Sequence, residues 1–235
     1  MKDPSDRSRS LRDYLGAFVY GGMDGSVTTF AVVAGSAGAG LDTSVVLILG
    51  FANLFADGFA MSVGAYLSAK TDRQNFFKRQ QEQRQQIEVD PESSKETLRS
   101  IYHYKGFTEP LLNQVVEVVT SNKDRWMDTI MKEDLGMTIE QKSPLITGLL
   151  TYLSFIIVGL IPLAAYVYDL VSDFNGDMFL WSSILTMLAF GIIGFLKSFV
   201  TETSHLKGIL ETVTLGALAA FVAYFVGDLL ERMIS

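Results

Sequence analysis

Residues 53–62 read NLFADGFAMS and lie in the middle of an apolar stretch that runs from Ser44 to Leu67. Asn53, Asp57 and Met61 are spaced four residues apart, so a helix places them on one face. A carboxylate inside a bilayer costs about 3 kcal/mol on insertion scales. Asp57 therefore requires a partner or a polar environment within the membrane.

Five apolar blocks account for most of the hydrophobic residues, and they run over 15–37, 44–67, 144–168, 178–196 and 208–230. Each is close to the roughly 20 residues that a helix needs to cross a hydrocarbon core of about 30 Å. Most charged residues fall instead between 67 and 144. This uneven distribution is typical of a multi-span membrane protein rather than a soluble globule.

The distribution of lysine and arginine predicts the orientation. The N-terminal tail carries four of the 19, the segment 67–144 carries 12, and the connection between the fourth and fifth blocks carries two. Only Arg232 lies on the other side, so the positive-inside rule predicts a cytoplasmic N-terminus. The opposite side carries an acidic rim that can gather or release cations, formed by Asp42, Asp169, Asp173 and Asp177.

These patterns predict an all-α integral membrane protein with five transmembrane helices and a cytoplasmic helical domain between the second and third. Its parts are a cytoplasmic tail at 1–14, two transmembrane helices at 15–67, the cytoplasmic domain at 68–143 and three transmembrane helices at 144–235. Because the polar N-terminus has no apolar core followed by a cleavage site, no removable signal peptide is predicted.

Four helices are predicted to build the cytoplasmic domain. The second apolar block has no helix breaker after Gly64, so its helix should continue to about residue 89. Asp90 and Pro91 fit the N-cap and first position of the next helix. Thr108 can cap a third helix, and a fourth should end near Gly136.

Several classes of chemistry are excluded by composition. The absence of cysteine excludes disulfides, zinc–thiolate sites, iron–sulfur clusters and thiol catalysis. The chain has only two histidines, His103 and His205, which leaves little room for imidazole chemistry, so a di-iron enzyme such as a ferroxidase is not expected. No Walker A loop is present, so ATP is not expected as the energy source, and no permanently bound cofactor is expected. The net charge of −7 argues against nucleic acid as a partner.

Asp24 is a second carboxylate near the middle of the first apolar block. It is flanked by Gly21, Gly22 and Gly25, small residues that allow another helix to approach closely. Thr28 lies one turn further on the same face.

Two carboxylates on adjacent membrane helices can share a proton, bind a cation, or do both in alternation. The thioether of Met61 is a soft ligand that favours transition metals over Na⁺, K⁺ or Mg²⁺. A lone methionine in such a helix is most often core filler, and a single aspartate is sometimes structural. The combination of Asp24, Asn53, Asp57 and Met61 favours an ion or proton path without identifying the ion.

Three stretches resemble the vacuolar iron transporter family: MDGSVTTFAVVAGSAGAG (23–40), VVLILGFANLFADGFAMSVGAYLSAKTD (45–72) and SFIIVGLIPLAAY (154–166). The order of elements is also similar, with two spans, a cytoplasmic helical domain and three spans. The resemblance implies a homodimer that moves Fe²⁺ or Mn²⁺ out of the cytosol against protons. It also implies a pathway at the dimer interface between the first spans, lined by Asp24 and Met61.

The sequence departs from the family pattern in the membrane and in the cytoplasmic domain. Many members have Gly-Glu-Tyr where this chain has Gly64-Ala65-Tyr66, and the acidic residue here is Asp57 instead. A family carboxylate cluster in the cytoplasmic domain aligns here with Gln83, Gln86, Ser93, Glu96, Ile130 and Asp134. Neutral Gln and Ser do not neutralise a divalent cation. Glu92, Glu96, Glu133 and Asp134 remain as a predicted weak cytoplasmic metal site.

The sequence thus predicts a multi-pass transporter of Fe²⁺ and/or Mn²⁺ that works by proton antiport in a bacterial plasma membrane or a vacuolar-type membrane. Its expected partners are the metal ion, protons, the lipid bilayer and a second copy of the chain. The alternative is a transport-dead member whose cytoplasmic domain is a docking or regulatory module.

Overall fold

The computed structural model describes residues 4–139, 142–172 and 176–234, with side chains from residue 14 onward. All regular structure in these residues is helical. The chain divides into two compact units, a membrane unit of residues 1–67 and 142–235 and a second unit of residues 68–141. The all-helical class predicted from the sequence is confirmed for the described residues.

Nine α-helices and one 3₁₀ turn follow one another along the described chain. They are α1 (Pro4–Gly38), α2 (Thr43–Val89), α3 (Pro91–Tyr104), α4 (Leu111–Thr120), α5 (Lys123–Glu133), α6 (Pro144–Gly159), the 3₁₀ turn (Ile161–Leu163), α7 (Ala164–Ser172), α8 (Met178–Thr201) and α9 (His205–Ile234). Helix α1 begins at Pro4, so most of the predicted N-terminal tail is helical.

Four helical segments in the described residues are long and apolar enough to cross a membrane: α2, the segment Pro144–Ser172, α8 and α9. The protein is therefore an integral membrane protein. Helix α1 is outside this set because its middle is rich in glycine, serine and threonine and contains Asp24. The fifth span, α1, stays a prediction.

Helix α6 packs between α1 and α2 through close backbone contacts. A Cβ atom at Gly21 would lie 2.6 Å from the carbonyl oxygen of Thr151, and one at Gly22 would lie 2.9 Å from the Val158 side chain. On the α2 side, a Cβ at Gly148 would lie 2.9 Å from the carbonyl oxygen of Ser62. Small residues thus set the spacing on both sides of α6.

Two further glycine contacts fix α9 within the membrane unit. The backbone at Gly227 reaches the carbonyl oxygen of Gly35 in α1. At the other end, a Cβ at Gly194 of α8 would lie 2.6 Å from the carbonyl oxygen of Gly208 in α9. An ion pair between Lys197 and Glu211 at 2.9 Å joins the same two helices.

The third apolar block is not one continuous helix. Helix α6 ends at Gly159, and a 3₁₀ turn containing Pro162 separates it from α7. Proline lacks the backbone N–H and its ring clashes with the preceding turn, so the regular helix cannot continue. The hydroxyl of Ser182 in α8 donates to the Pro162 carbonyl at 2.5 Å and satisfies an acceptor at this break. The predicted span over 144–168 thus lies within the apolar segment Pro144–Ser172, but its helix is interrupted at Pro162.

A short turn joins α1 to α2. Gly40 adopts φ +63°, a left-handed conformation that favours glycine at the end of a helix. The N–H of Leu41 donates to the carbonyl of Ser36 at 3.0 Å, which closes the end of α1.

The second unit has its own apolar core, built from α2 beyond residue 67 and from α3, α4 and α5. Leu98, Ile130 and Met131 are almost completely buried there, and Trp126 packs with them. The unit therefore has the buried core of a folded domain.

Local capping explains the starts of two helices in this unit. The Asp90 carboxylate accepts the Ser93 N–H at 3.0 Å, and Asn122 accepts the Arg125 N–H at the same distance. The Asp90 cap confirms the prediction for α3. The predicted side-chain cap by Thr108 was wrong, because α4 begins after Pro110 and only the Thr108 backbone carbonyl accepts a hydrogen bond.

The contact between α1 and α6 predicts a large effect of Gly25→Ala. A Cβ at this position would meet the backbone of Phe155, which cannot move away independently. We expect a loss of about 1–3 kcal/mol, as for other overpacked sites, and a lower melting temperature in detergent. Gly191→Ala in α8 is the matched control, because nothing lies within 4 Å of its Cβ position. A Gly25→Ala variant that melts at or above the wild-type temperature would contradict this packing.

Candidate functional site

Asp24 lies half-buried on α1, on a face where the neighbouring polar side chain is Thr28. The Thr28 hydroxyl donates to the Asp24 carbonyl oxygen at 2.9 Å. Because its proton is used in this bond, the hydroxyl oxygen keeps its lone pairs for another partner. This face of α1 thus offers carboxylate and hydroxyl oxygens one turn apart.

The three polar or soft residues predicted on α2 are all half-buried. Met61 packs against the apolar core of the membrane unit, so its side chain also has a structural role. The amide nitrogen of Asn53 is buried and has no hydrogen-bond partner among the described residues. A buried amide donor without a hydrogen-bond partner lowers the stability of the fold. We therefore expect an additional acceptor at this position, such as water or a carboxylate.

Both aspartates are followed by a glycine, and both glycines contact Phe155 of α6. The backbone of Phe155 meets Gly25, and a Cβ at Gly58 would lie 3.0 Å from the Phe155 ring. Asp24 and Asp57 therefore lie at similar depth on the two helices that flank α6.

Sequence reasoning missed the role of Phe155 and that of Ser62. The Ser62 hydroxyl donates to the Gly148 carbonyl at 2.9 Å and fixes α2 against α6 one residue beyond Met61. The repeated Asp-Gly pair was a usable signal, because a glycine next to a membrane carboxylate marks a close helix contact. Nothing in the local sequence identified Ser62.

Two carboxylates of the acidic rim, Asp177 and Asp169, make hydrogen bonds within the protein. Asp177 caps α8 by accepting the Leu180 N–H at 3.0 Å, and Asp169 accepts a long hydrogen bond of 3.4 Å from Thr43. Asp42 is exposed next to the start of α2. Asp173 lies outside the described residues.

The residues of the predicted weak cytoplasmic site are held largely by lysines. Glu92 pairs with Lys95 at 2.8 Å, and Glu133 pairs with Lys105 at 2.6 Å. Asp134 is the residue that ends α5. Within residues 4–139, 142–172 and 176–234, no group of three or more acidic or histidine side chains is arranged to hold a metal ion.

A polar network on the surface of this unit joins α3 to the start of α4. Arg99 bonds to Glu109 at 2.9 Å and also contacts Asn113. The hydrogen bond to Glu109 raises the pKa of Arg99 above its ordinary value. Arg99 therefore stays charged and serves as a structural link.

Four apolar segments long enough to cross a membrane, together with half-buried aspartates on α1 and α2, define an integral membrane protein with polar groups inside its membrane unit. Comparison with known sequences identifies its relatives. A profile of the VIT family matches residues 15–228, and the chain belongs to this family.

Curated relatives carry the names of transporters rather than enzymes. The chain is 34% identical to the vacuolar iron transporter of Toxoplasma gondii over 97% of this chain and 78% of that protein. It is 31% identical to the vacuolar iron transporter of Plasmodium falciparum over 95% of this chain and 85% of that protein. It is 26% identical to vacuolar iron transporter 1 of Arabidopsis thaliana over 91% and 85% of the two chains.

The lysine pairs in the second unit generate a prediction about metal binding. A lysine ammonium group competes with a divalent cation for the same carboxylate, so Lys95→Gln with Lys105→Gln should tighten Mn²⁺ binding several-fold. Calorimetry on the full chain measures this in an Asp24→Asn, Asp57→Asn background, where the membrane carboxylates no longer contribute. Lys132→Gln on α5 is the control, because no ion pair of Lys132 occurs among the described residues.

Two results would contradict the predicted cytoplasmic site. Absence of Mn²⁺ binding in both the parent and the double-lysine variant would remove Glu92, Glu96, Glu133 and Asp134 from the metal ligands. An equal gain from Lys132→Gln would indicate a general effect of net charge.

Proposed function

We propose that this protein transports Fe²⁺ and/or Mn²⁺ across the membrane along a path lined by the Asp24 face of α1 and the Asp57 face of α2. The observation that carries the proposal is the position of the two half-buried aspartates, at similar depth on either side of Phe155. Membership of the VIT family supports the reaction class. The names of the relatives support iron as the cargo.

The donor types fit a divalent transition metal. Asp24 and Asp57 supply anionic oxygens, Asn53 supplies a neutral oxygen and Met61 supplies a soft sulfur. Hard ions such as Mg²⁺ gain little from sulfur, whereas Fe²⁺ accepts mixed oxygen and sulfur ligands. Thr28 adds a hydroxyl oxygen one turn from Asp24.

The proposed transporter is a homodimer. Asp24, Asn53, Asp57 and Met61 are half-buried rather than enclosed, so one protomer covers only part of a cation's surroundings. A cation next to lipid on its open side would be poorly solvated. A second copy that presents the same faces closes the path and supplies further ligands.

The direction of transport follows from the proposed orientation with a cytoplasmic N-terminus. Metal enters from the side that carries most lysines and arginines and leaves on the side of Asp42, Asp169 and Asp177. This corresponds to export through a bacterial plasma membrane or sequestration through a vacuolar-type membrane. Protons move in the opposite direction, because a carboxylate that releases a metal ion in a poorly solvated site readily takes up a proton.

We expect Asp24→Asn and Asp57→Asn each to reduce metal flux at least tenfold. The amide keeps the size of the side chain but carries no charge for the cation and no exchangeable acid proton. The measurement is Fe²⁺ and Mn²⁺ flux into proteoliposomes. It is made with and without a pH gradient in which the lumen is acidic, so that protons leave as metal enters. Asp128→Asn is the matched control, since Asp128 is exposed on α5.

The outcomes separate transport, its coupling and the docking alternative. Unchanged flux in Asp24→Asn would remove Asp24 from the mechanism. Flux that ignores the pH gradient would overturn proton antiport while leaving metal transport intact. Absence of flux in folded, dimeric wild-type protein would favour the docking or regulatory role.

Met61→Leu tests the soft ligand separately from packing. Leucine preserves most of the volume that Met61 contributes to the core, so the variant should fold with little loss of stability. Loss of the thioether should reduce Fe²⁺ flux more than Mn²⁺ flux, because Mn²⁺ is the harder ion. Met187→Leu is the control, because Met187 packs against the same core. An equal loss for both metals, or the same change in Met187→Leu, would contradict the ligand role of Met61.

A further inference from the structure

One face of α2 carries exposed residues that are not part of the proposed transport path. Lys70, Arg73 and Phe77 lie within two turns on the same side of the helix, just beyond the apolar segment that ends at Leu67. All three are exposed. The same side of α2 carries Val63 and Tyr66 in the preceding turns, so apolar, aromatic and basic residues follow one another along it.

The pairing of basic residues changes along α2. Lys78 and Arg79 both contact Glu82, at 3.9 and 3.0 Å, and Arg84 pairs with Asp124 at 2.9 Å. These charges are compensated within the protein.

Arg73 is different from the basic residues that follow it. Its guanidinium lies 5.8 Å from the centre of the Phe77 ring, and no carboxylate of the described residues lies within ion-pair distance of it. Asp72 is its direct neighbour in sequence, but adjacent helical residues do not face each other. Within the described part of the chain, the Arg73 charge thus has no counter-ion and lies next to an aromatic ring.

The position of this face matches the depth of phospholipid phosphates. At 1.5 Å per residue, Lys70 and Arg73 lie roughly 5 and 9 Å beyond Leu67 along the helix. The headgroup region begins at the end of the hydrocarbon core and is about 5–7 Å thick on each side. Long basic side chains reach back toward that level.

We propose that Lys70, Arg73 and Phe77 of α2 form a binding site for the headgroup of an anionic phospholipid in the adjacent leaflet. The guanidinium of Arg73 binds the lipid phosphate, Lys70 adds a second positive charge, and Phe77 holds the guanidinium plane. Charge complementarity and continuity with the membrane span favour a lipid over a soluble partner. The site is independent of which metal the protein moves.

Thermal unfolding of the full chain in detergent tests this proposal. Phosphatidylglycerol should raise the melting temperature of the wild-type protein more than phosphatidylcholine does, and high salt should weaken the difference. The difference should fall by at least half in Lys70→Gln with Arg73→Gln. Arg73→Lys should give an intermediate value, because it keeps the charge but loses the planar contact with Phe77.

Arg125→Gln with Lys132→Gln is the matched control, since both residues are exposed on α5 and no ion pair of either occurs among the described residues. This variant should keep the full phosphatidylglycerol effect. An equal loss in both double variants would overturn the site and indicate a general effect of net charge. The same stabilisation by glycerol phosphate without lipid would identify a soluble phosphate ligand and overturn the lipid assignment.

Discussion

The close contact of α6 with α1 and α2 determines the arrangement of the membrane unit. Inside a bilayer, helices gain little from burying apolar surface against each other, so association depends on close packing and polar contacts. Phe155 reaches both neighbours because each presents a glycine, Gly25 on α1 and Gly58 on α2. The residue before each glycine is an aspartate. The contact that holds the helices together therefore also sets the relative depth of Asp24 and Asp57.

The periodic and local features of this fold could be predicted from the sequence. The continuation of α2 to Val89 follows from the absence of breakers, and the start of α3 follows from Asp90 and Pro91. The break after Gly159 was missed because the apolar pattern continues through Pro162 into α7. Hydrophobicity alone does not register this break, because the residues around Pro162 are as apolar as those of the helices on either side.

The sequence predicted which candidate residues share a face of a single helix, but not how those faces are arranged between helices. Spacing placed Asn53, Asp57 and Met61 on one face, but their depth relative to Asp24 depends on how α6 separates the two helices. The ion pairs of the second unit were predictable to the same extent. The pairing of Glu92 with Lys95 is visible as a three-residue spacing, whereas Glu133 pairs with Lys105, 28 positions away, through tertiary packing.

The charges of the proposed path suggest how many protons are exchanged for each metal ion. In the proposed dimer, two protomers contribute four aspartates, and four ionised carboxylates in a poorly solvated path repel one another strongly. A divalent cation balances two negative charges, so the metal-bound path is neutral when two of the four carboxylates carry protons. When the metal leaves, two further protons restore neutrality. Asp24 and Asp57 flank α6 at similar depth, so in the proposed path the metal competes with a pair of protons rather than with one. Exchange of two protons for one divalent ion keeps the path neutral in both states, which is why a pair of carboxylates on adjacent helices suits a proton-coupled metal transporter better than a single one.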